Sequence, residues 1–179
     1  YFEVALMTCE HREWQKPGGW NDPDNILVGS VGSAQTMAPP APVLLTPTEQ
    51  YSFMSLWALM ASPLVYGGDM TKLDEFTLNV LCNPEIIAVN LDPLGQCARV
   101  VTLNDDLVLM IKDLEDGSKA VGLCNRGEVP TSITAKWTDL GVAGPRSVRD
   151  LWRQKDLGTF TSEFKAEVPR HGVLVIRVQ

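Results

Sequence analysis

Basic residues are scarce at the start of the chain: residues 1 to 96 hold 3 Lys or Arg against 11 Asp or Glu, while residues 97 to 179 hold 12 against 11. With a formal net charge of −7 over 179 residues, the chain has no basic face to offer a polyanion, so no nucleic acid partner is expected. The electrostatic difference between the halves suggests two units. No uninterrupted apolar run of about 18 residues exists, so no membrane span is expected either. The opening Tyr1-Phe2-Glu3-Val4 has no initiator Met, no basic start and no signal-like apolar core, and it reads as a cut from something longer.

Metal and nucleophile chemistry also lack their usual marks. The four cysteines, Cys9, Cys82, Cys97 and Cys124, have none of the two-residue spacing of a zinc knuckle, so no metal is expected. They allow three pairings, and with Cys82 in an apolar helical pattern and Cys124 in a strand-like one they read as buried free thiols. Of the two histidines, His11 has no Ser or Cys nucleophile motif beside it and reads as a surface residue. His171, just before Gly172 at a strand start, reads as structural.

What is present is concentrated in Gly18-Gly19-Trp20-Asn21-Asp22-Pro23-Asp24, which sets an aromatic ring and two carboxylates just before the apolar run Ile26-Leu27-Val28. That is the composition of a sugar site. Pro23 disfavours the helical region for Asp22, so the stretch is expected to be extended, with Asp22 and Asp24 starting on the same face. Gly18 and Gly19 allow the backbone angles needed where a loop turns into a strand.

The rest of the first half alternates strand and helix. Residues 2 to 7 are compatible with a buried strand or a helix end. Residues 29 to 45, interrupted by Pro39, Pro40 and Pro42, read as a long irregular loop and a candidate pocket wall. Thr46-Pro47-Thr48-Glu49 is a helix start with a Thr cap, a Pro at the first position and a Glu that completes a capping box. The helix should run to about Ala61, with Tyr51, Met54, Trp57, Ala58 and Ala61 as an apolar stripe to be buried against a sheet. Pro63 to Tyr66 reads as a short buried strand, Leu73 to Cys82 as a second helix ended by Asn83-Pro84, and Asp92 to Gly95 as an exit turn. Such strand and helix units imply parallel strands.

Beyond residue 97 the pattern becomes short alternating strands at 107–112, 119–125, 132–137, 147–152, 163–168 and 172–178, separated by turn chemistry such as Glu115-Asp116-Gly117 and Asn125-Arg126-Gly127. An antiparallel β-sandwich is expected there. Trp137 and Trp152 read as sandwich core.

Gly18 to Asp24, with the apolar run and Gly29 behind it, resembles the signature of the α-galactosidases, glycoside hydrolase family 27. The segment Glu49 to Pro63, with Ser-Leu-Trp-Ala-Leu-Met-Ala-Ser-Pro, and the segment Ile87 to Gly95, with Ala-Val-Asn-Leu-Asp-Pro-Leu-Gly, resemble the family in the same order and spacing. The second half is similar in layout and in its closing Val-Pro-x-His-Gly-Val run. The resemblance implies an α/β plus all-β chain: the C-terminal strand and helix units of a (β/α)8 barrel over residues 1–96, then an antiparallel β-sandwich over 97–179. The acids before Ile26 and Asp69 after Tyr66 would then lie on the barrel's active face.

It also implies a retaining glycosidase, which needs two carboxylates about 5 Å apart as nucleophile and acid/base. In the family these are aspartates on the fourth and sixth barrel strands, and the stretch matched here corresponds to the seventh, so no catalytic residue is expected in this chain. Lys72-Leu73-Asp74 has the nucleophile's Lys-x-Asp pattern but lies downstream at a helix start, and Arg146 to Asp150 has the acid/base spacing but lies in the sandwich. The chain alone is expected to be inactive. The substrate-binding residues carried over are Asp24, which lines the pocket near the acid/base and disfavours its ionisation, Trp20 behind it, and Asn25, where the family usually has Met. Asp22 reads as a loop hydrogen-bond acceptor.

The implied substrate is a terminal α-galactoside, with α-N-acetylgalactosaminides, β-L-arabinopyranosides and isomaltosaccharides as neighbouring activities. No cofactor is implied, and a secreted or periplasmic location is favoured. Two barrel units cannot close a barrel, so the stripe at 51–61 calls for a partner and a homo-oligomer is an expectation. The rival reading is a non-catalytic carbohydrate-binding sandwich, whose signature would be Trp137 and Trp152 exposed on one face.

Overall fold

The computed structural model describes residues 1–33 and 38–179. The first stretch is a helix, α1 (Phe2–Glu10), which decides the open reading of residues 2 to 7; it buries Phe2, Ala5 and Cys9 on one side. A 3-10 turn follows at Arg12–Trp14. Residues 29 to 45 are not irregular throughout: β1 (Ser30–Ser33) and β2 (Ala38–Pro42) form an antiparallel hairpin, with Ser30 opposite Pro42 and Val31 opposite Ala41. A two-stranded ribbon consists only of edges, which is where a strand tolerates proline. Residues 34–37 of that expected loop lie outside the described residues.

The predicted helix is present as α2 (Pro47–Met60), with both arms of its capping box: Glu49 N donates to Thr46 Oγ1 at 3.3 Å, and Thr46 N donates to Glu49 Oε2 at 2.8 Å. It ends at Ala61 in the left-handed conformation, φ 52°. Rather than a stripe, every residue from Ser52 to Met60 is buried, so the helix is covered on nearly all sides. Its polar members comply with this: Ser52 and Ser55 hydroxyls bond back to the Thr48 and Tyr51 carbonyls.

Two helices, not one, separate α2 from the sheet. The first, α3 (Glu75–Leu81), starts at an Asp74 cap, and the second, α4 (Pro84–Asn90), starts at Asn83, whose side chain accepts from Glu85 N and Ile86 N. Asn83-Pro84 thus opens a helix instead of closing one. Cys82 is the residue just past α3 and is exposed, because the helix buries Thr77 and Val80 and Cys82 falls off that face; its reading as a buried thiol is corrected. Pro63 to Tyr66 is also not a buried strand. It makes a single parallel bridge, Tyr66 to Ile26, and Val65 is 50% exposed because only one side of the stub is covered.

The remainder is antiparallel. A six-stranded sheet has the order β3 (Arg99–Thr102), β4 (Leu107–Asp113), β5 (Lys119–Asn125), β10 (Val173–Val178), β7 (Arg146–Asp150) and β8 (Lys155–Phe160). A second sheet pairs β6 (Thr131–Lys136) with β9 (Glu163–Val168). A short helix, α5 (Trp137–Leu140), takes over at the end of the strand expected over 132–137, and Trp137 is its first, buried residue.

The six-stranded sheet is covered on both faces. Leu107, Leu109 and Ile111 of β4 join the core shared with β6 and β9, while Val108 and Met110 join the core built on α2. That is why β4 reads as a continuous apolar run, not as an alternation. The second core runs without a break from Phe2 through α2 to Val108, Ala120, Val173 and Val175, so the apolar surface of α2 finds its partner inside the chain. The need for another copy to cover that helix is thereby removed.

Candidate functional site

The signature stretch is shaped by short-range bonds and by one long-range one. Asp22 Oδ1 accepts from Asp24 N at 3.0 Å, which bends the chain back on itself. Asp24 then takes φ 83°, and its own Oδ1 accepts from Asn25 N at 2.6 Å. The expectation of a shared face for Asp22 and Asp24 is corrected here, because the two-residue alternation holds only while φ stays negative. Both side chains are exposed, and they are linked through the Asx-type turn. The Asp24 carbonyl accepts from the indole Nε1 of Trp57 at 3.0 Å, 33 residues away on α2. A positive φ is uncommon for a residue other than glycine, with Asp among the more tolerant types.

Beyond Asp24 the chain becomes a strand stub. Ile26 N donates to Val65 O at 2.7 Å and Gly67 N to Ile26 O at 3.0 Å, a parallel pairing of the two short segments. Ile26 and Val28 point into the core, and Asn25 and Leu27 stay exposed. A Cβ placed on Gly67 would lie 2.9 Å from Asn25 Cβ and 2.8 Å from Leu27 Cδ2, so the missing side chain is what lets the two segments close. Asn25 therefore lies against the end of the neighbouring segment, on the side away from α2.

Trp20 is 46% exposed and sits on the exit turn: a Cβ on Gly95 would lie 2.7 Å from its Cη2. Beneath that turn is Gln15, which no motif or spacing singles out. Its Nε2 donates to Met60 O at 2.8 Å and lies 3.3 Å from Gly95 O, while its Oε1 accepts from Asn21 N at 3.4 Å. One buried amide thereby ties the signature stretch to the end of α2 and to the turn that carries Trp20. Trp57 is the other support that sequence reasoning left in the core. The signal was available, since a buried indole N–H requires an acceptor.

The remaining acids of the region are committed elsewhere. Asp69 Oδ1 accepts from Thr71 N and Thr71 Oγ1, at 2.9 and 2.6 Å, so it caps the 3-10 turn Met70–Lys72 and does not stand free at a strand end. Those bonds hold its carboxyl below the usual range. Asp74 caps α3 through Thr77 N at 2.7 Å, and buried Asp150 pairs with Arg153 at 2.7 Å, so neither pattern match supplies a nucleophile or an acid. His11 stacks on Trp14 with ring centroids 4.0 Å apart. His171 bridges Glu49 and Glu128 at 2.8 and 3.1 Å and joins α2 to the sandwich. Among the described residues, no group of three or more His, Cys, Asp or Glu could hold a metal ion, and no helix is long and apolar enough to cross a membrane.

The arrangement offers one strained carboxylate, an adjacent amide and an exposed indole. The carboxylate and the amide can hold hydroxyl groups, and the indole backs them against Gly95. The other carboxylates of the region and of the two pattern matches, Asp22, Asp69, Asp74 and Asp150, are committed to turns, caps or an ion pair.

Comparison with known proteins gives the chain its family. Residues 10–92 match the model of the family described as alpha galactosidase A, and residues 104–178 match the alpha galactosidase C-terminal beta sandwich domain. An α-galactosidase of Cyamopsis tetragonoloba is 36% identical over 170 residues, covering 94% of this chain and 38% of that protein. A β-L-arabinopyranosidase of family GH27 from Geobacillus stearothermophilus superposes with a TM-score of 0.88 at 28% identity, over 99% of this chain and 40% of that one. For α-galactosidase I from Mortierella vinacea the TM-score is 0.84 at 28% identity, over 96% of this chain and 42% of that one. The chain spans about two fifths of the length of the relatives it matches. Its parallel stub and helices are C-terminal strand and helix units of a (β/α)8 barrel, its antiparallel sheets are the sandwich, and the chain belongs to the α-galactosidase (melibiase) family, glycoside hydrolase family 27.

Proposed function

We propose that this chain serves in a retaining glycoside hydrolase that releases terminal α-galactosyl groups, and that it contributes substrate contacts while the nucleophile and the acid/base stand upstream. The observation that carries the reading is Asp24: a carboxylate held exposed at φ 83° by Trp57 and Asp22, directly before a parallel strand stub, inside a stretch matched by the family model. Strain of that kind persists where the surroundings over-determine it, and it clusters at binding sites. In this reading Asp24 takes sugar hydroxyls and acts on the ionisation of the acid/base, Trp20 supports the stretch from behind, and Asn25 presents an amide to the ring substituents. Residues 1–96 form the barrel part and 97–179 the sandwich, an assignment supported by the change of family model between residues 92 and 104. Nucleic acid is not a partner.

The rival, a sandwich that binds carbohydrate without catalysis, lacks its signature. Trp137 is 2% exposed, and Trp152 is half-buried with Nε1 on Ser55 Oγ at 2.8 Å and its ring against Tyr51. The test is hydrolysis of aryl α-galactoside, α-N-acetylgalactosaminide, β-L-arabinopyranoside and isomaltoside by the 179-residue chain and by a longer polypeptide that includes it. The chain alone is expected to release nothing, and the longer form to prefer the α-galactoside. Turnover by the chain alone that disappears in Asp22→Asn or Asp24→Asn would put the nucleophile in the wrong place. Inactivity of the longer form on the whole panel would remove the enzymatic reading.

A further inference from the structure

Two buried thiols meet where the helix layer joins the sandwich. Cys9 lies on α1 and Cys97 two residues before β3; their sulfurs are 3.3 Å apart, although 88 residues separate them in the chain. Both are buried, with 5% and 1% of their surface exposed. The other two cysteines are placed differently: Cys82 is exposed after α3, and Cys124 directs its sulfur to the Gly122 carbonyl at 3.7 Å. We propose that Cys9 and Cys97 are a dithiol–disulfide pair, a modification site whose co-reactant is a small-molecule disulfide of the glutathione type and whose oxidation ties α1 covalently to the root of the sandwich.

The pair is asymmetric in a way that suits exchange. The hydrogen bond shared with Cys9 holds the Cys97 thiol below its ordinary range against the opposing effect of burial, and the Arg12 side chain, donating to Cys97 O at 3.4 Å, brings a cation alongside. Cys9 is pushed up by the same hydrogen bond and by burial. Cys97 is therefore the attacking sulfur and Cys9 the resolving one.

Access comes from α1, which has no side-chain N-cap and keeps Val4 and Met7 exposed, so it is the element whose local opening uncovers the pair. In the first step the Cys97 thiolate attacks one sulfur of the small disulfide, that S–S bond breaks, and one small thiolate leaves and takes up a proton. In the second step the Cys9 thiolate attacks Cys97 Sγ, the mixed disulfide breaks, and the second small thiolate leaves. Two protein thiols have then lost two electrons and two protons, and one small disulfide has become two thiols.

The experiment uses the 179-residue chain with Cys82→Ser, so that the exposed thiol does not confuse the count, equilibrated in buffers of increasing oxidised-to-reduced glutathione ratio. The expected result is a mass loss of two hydrogens, a proteolytic peptide linking Cys9 to Cys97, and a midpoint of thermal unfolding raised by about 5 to 15 °C, as for a disulfide closing a long loop in a chain of this size. Adding Cys9→Ala or Cys97→Ala should abolish the mass loss and the rise. Because either substitution can destabilise the chain by itself, the shift is taken between oxidised and reduced samples of the same variant. Three free thiols in the folded chain under conditions that oxidise the urea-unfolded chain would overturn the proposal, as would linkage through Cys124. A linked Cys9–Cys97 peptide with no change in midpoint would overturn the part that makes the bond an anchor.

Discussion

Two kinds of β-structure stand side by side in this chain. Strands β4, β5 and β10 each have neighbours on both edges, with registers of six or seven consecutive pairs between them, and side chains buried on both faces. The stub formed by residues 24–28 and 63–68 has one parallel bridge, and one face is covered by α2. The first kind is held by many mutually supporting contacts. The second depends on a few named bonds: Trp57 to Asp24, Gln15 to Met60 and Gly95, and Asp22 to Asp24. Of the candidate binding residues, Asp24 and Asn25 lie in the second kind, and Trp20 lies just before it. A binding carboxylate must remain uncovered, so it lies where packing supplies least support and single hydrogen bonds supply the rest.

The largest expected effect breaks this comparison if the two regions are equally well supported. Leu109→Ala removes a fully buried side chain from the sheet's inner face and should cost about 2 to 5 kcal/mol. Leu27→Ala, at a residue 42% exposed on the stub, should stay within about 0.5 kcal/mol. Urea unfolding of the two variants against the parent decides it. Equal losses would mean that the stub is part of the cooperative core.

The same division explains what could be read in advance. Thr46-Pro47-x-Glu49 and the turns of the sandwich are local chemistry, so α2, β5 and β9 were legible almost to the residue. Asn83-Pro84 has the cap-then-proline order of Thr46-Pro47, yet after the helical pattern of residues 73–82 it reads as a stop. β8 escaped because an exposed edge strand with Gly158 at φ 107° carries no apolar alternation. The hairpin at Ser30–Pro42 escaped because its prolines argue against a strand inside a sheet and say little about a ribbon made of edges. At the site, the family resemblance points to Asp24, Trp20 and Asn25. The positive φ at Asp24 and the roles of Trp57 and Gln15 are not legible, since each depends at least in part on a partner tens of residues away.

A pH experiment sharpens the comparison at the seam where β4 meets the helices. Lys112 is fully buried, donates to the Val89 and Ala58 carbonyls near the ends of α4 and α2, and is lowered by burial to about 8, with Asp92 and Cys97 opposing. The unfolded chain holds that proton up to the ordinary lysine range, near 10.5. Below about pH 8 both states are protonated and the cost of a buried cation is present in full. Between about 8 and 10.5 the unfolded state binds more protons, so this residue makes stability rise with pH. Thermal midpoints measured from pH 7 to 9.5 should therefore climb in the parent relative to Lys112→Met. Parallel profiles would mean that Lys112 keeps its proton in the fold.

The smallest expected effect concerns the residue on which the functional reading rests. Asp24 occupies φ 83°, a region that glycine enters freely and aspartate enters at a cost of order 1 kcal/mol. Asp24→Gly keeps the Trp57 bond, which goes to the backbone carbonyl, and the bond to Asp22, which comes from the backbone N–H. It loses only the carboxylate and its contact with Asn25 N. If the aspartate were there for the fold, the glycine variant would be the less stable one. If it is kept for its carboxylate, relief of strain should leave the chain as stable as before or up to about 1 kcal/mol more so, while any galactoside hydrolysis by the longer polypeptide falls sharply. Asp22→Ala is the reference, because it removes the turn's acceptor and should cost about 1 kcal/mol through the backbone alone. A residue whose removal improves the fold and abolishes the activity is retained for binding, whereas a loss of stability matching that of Asp22→Ala would return Asp24 to the frame of the loop.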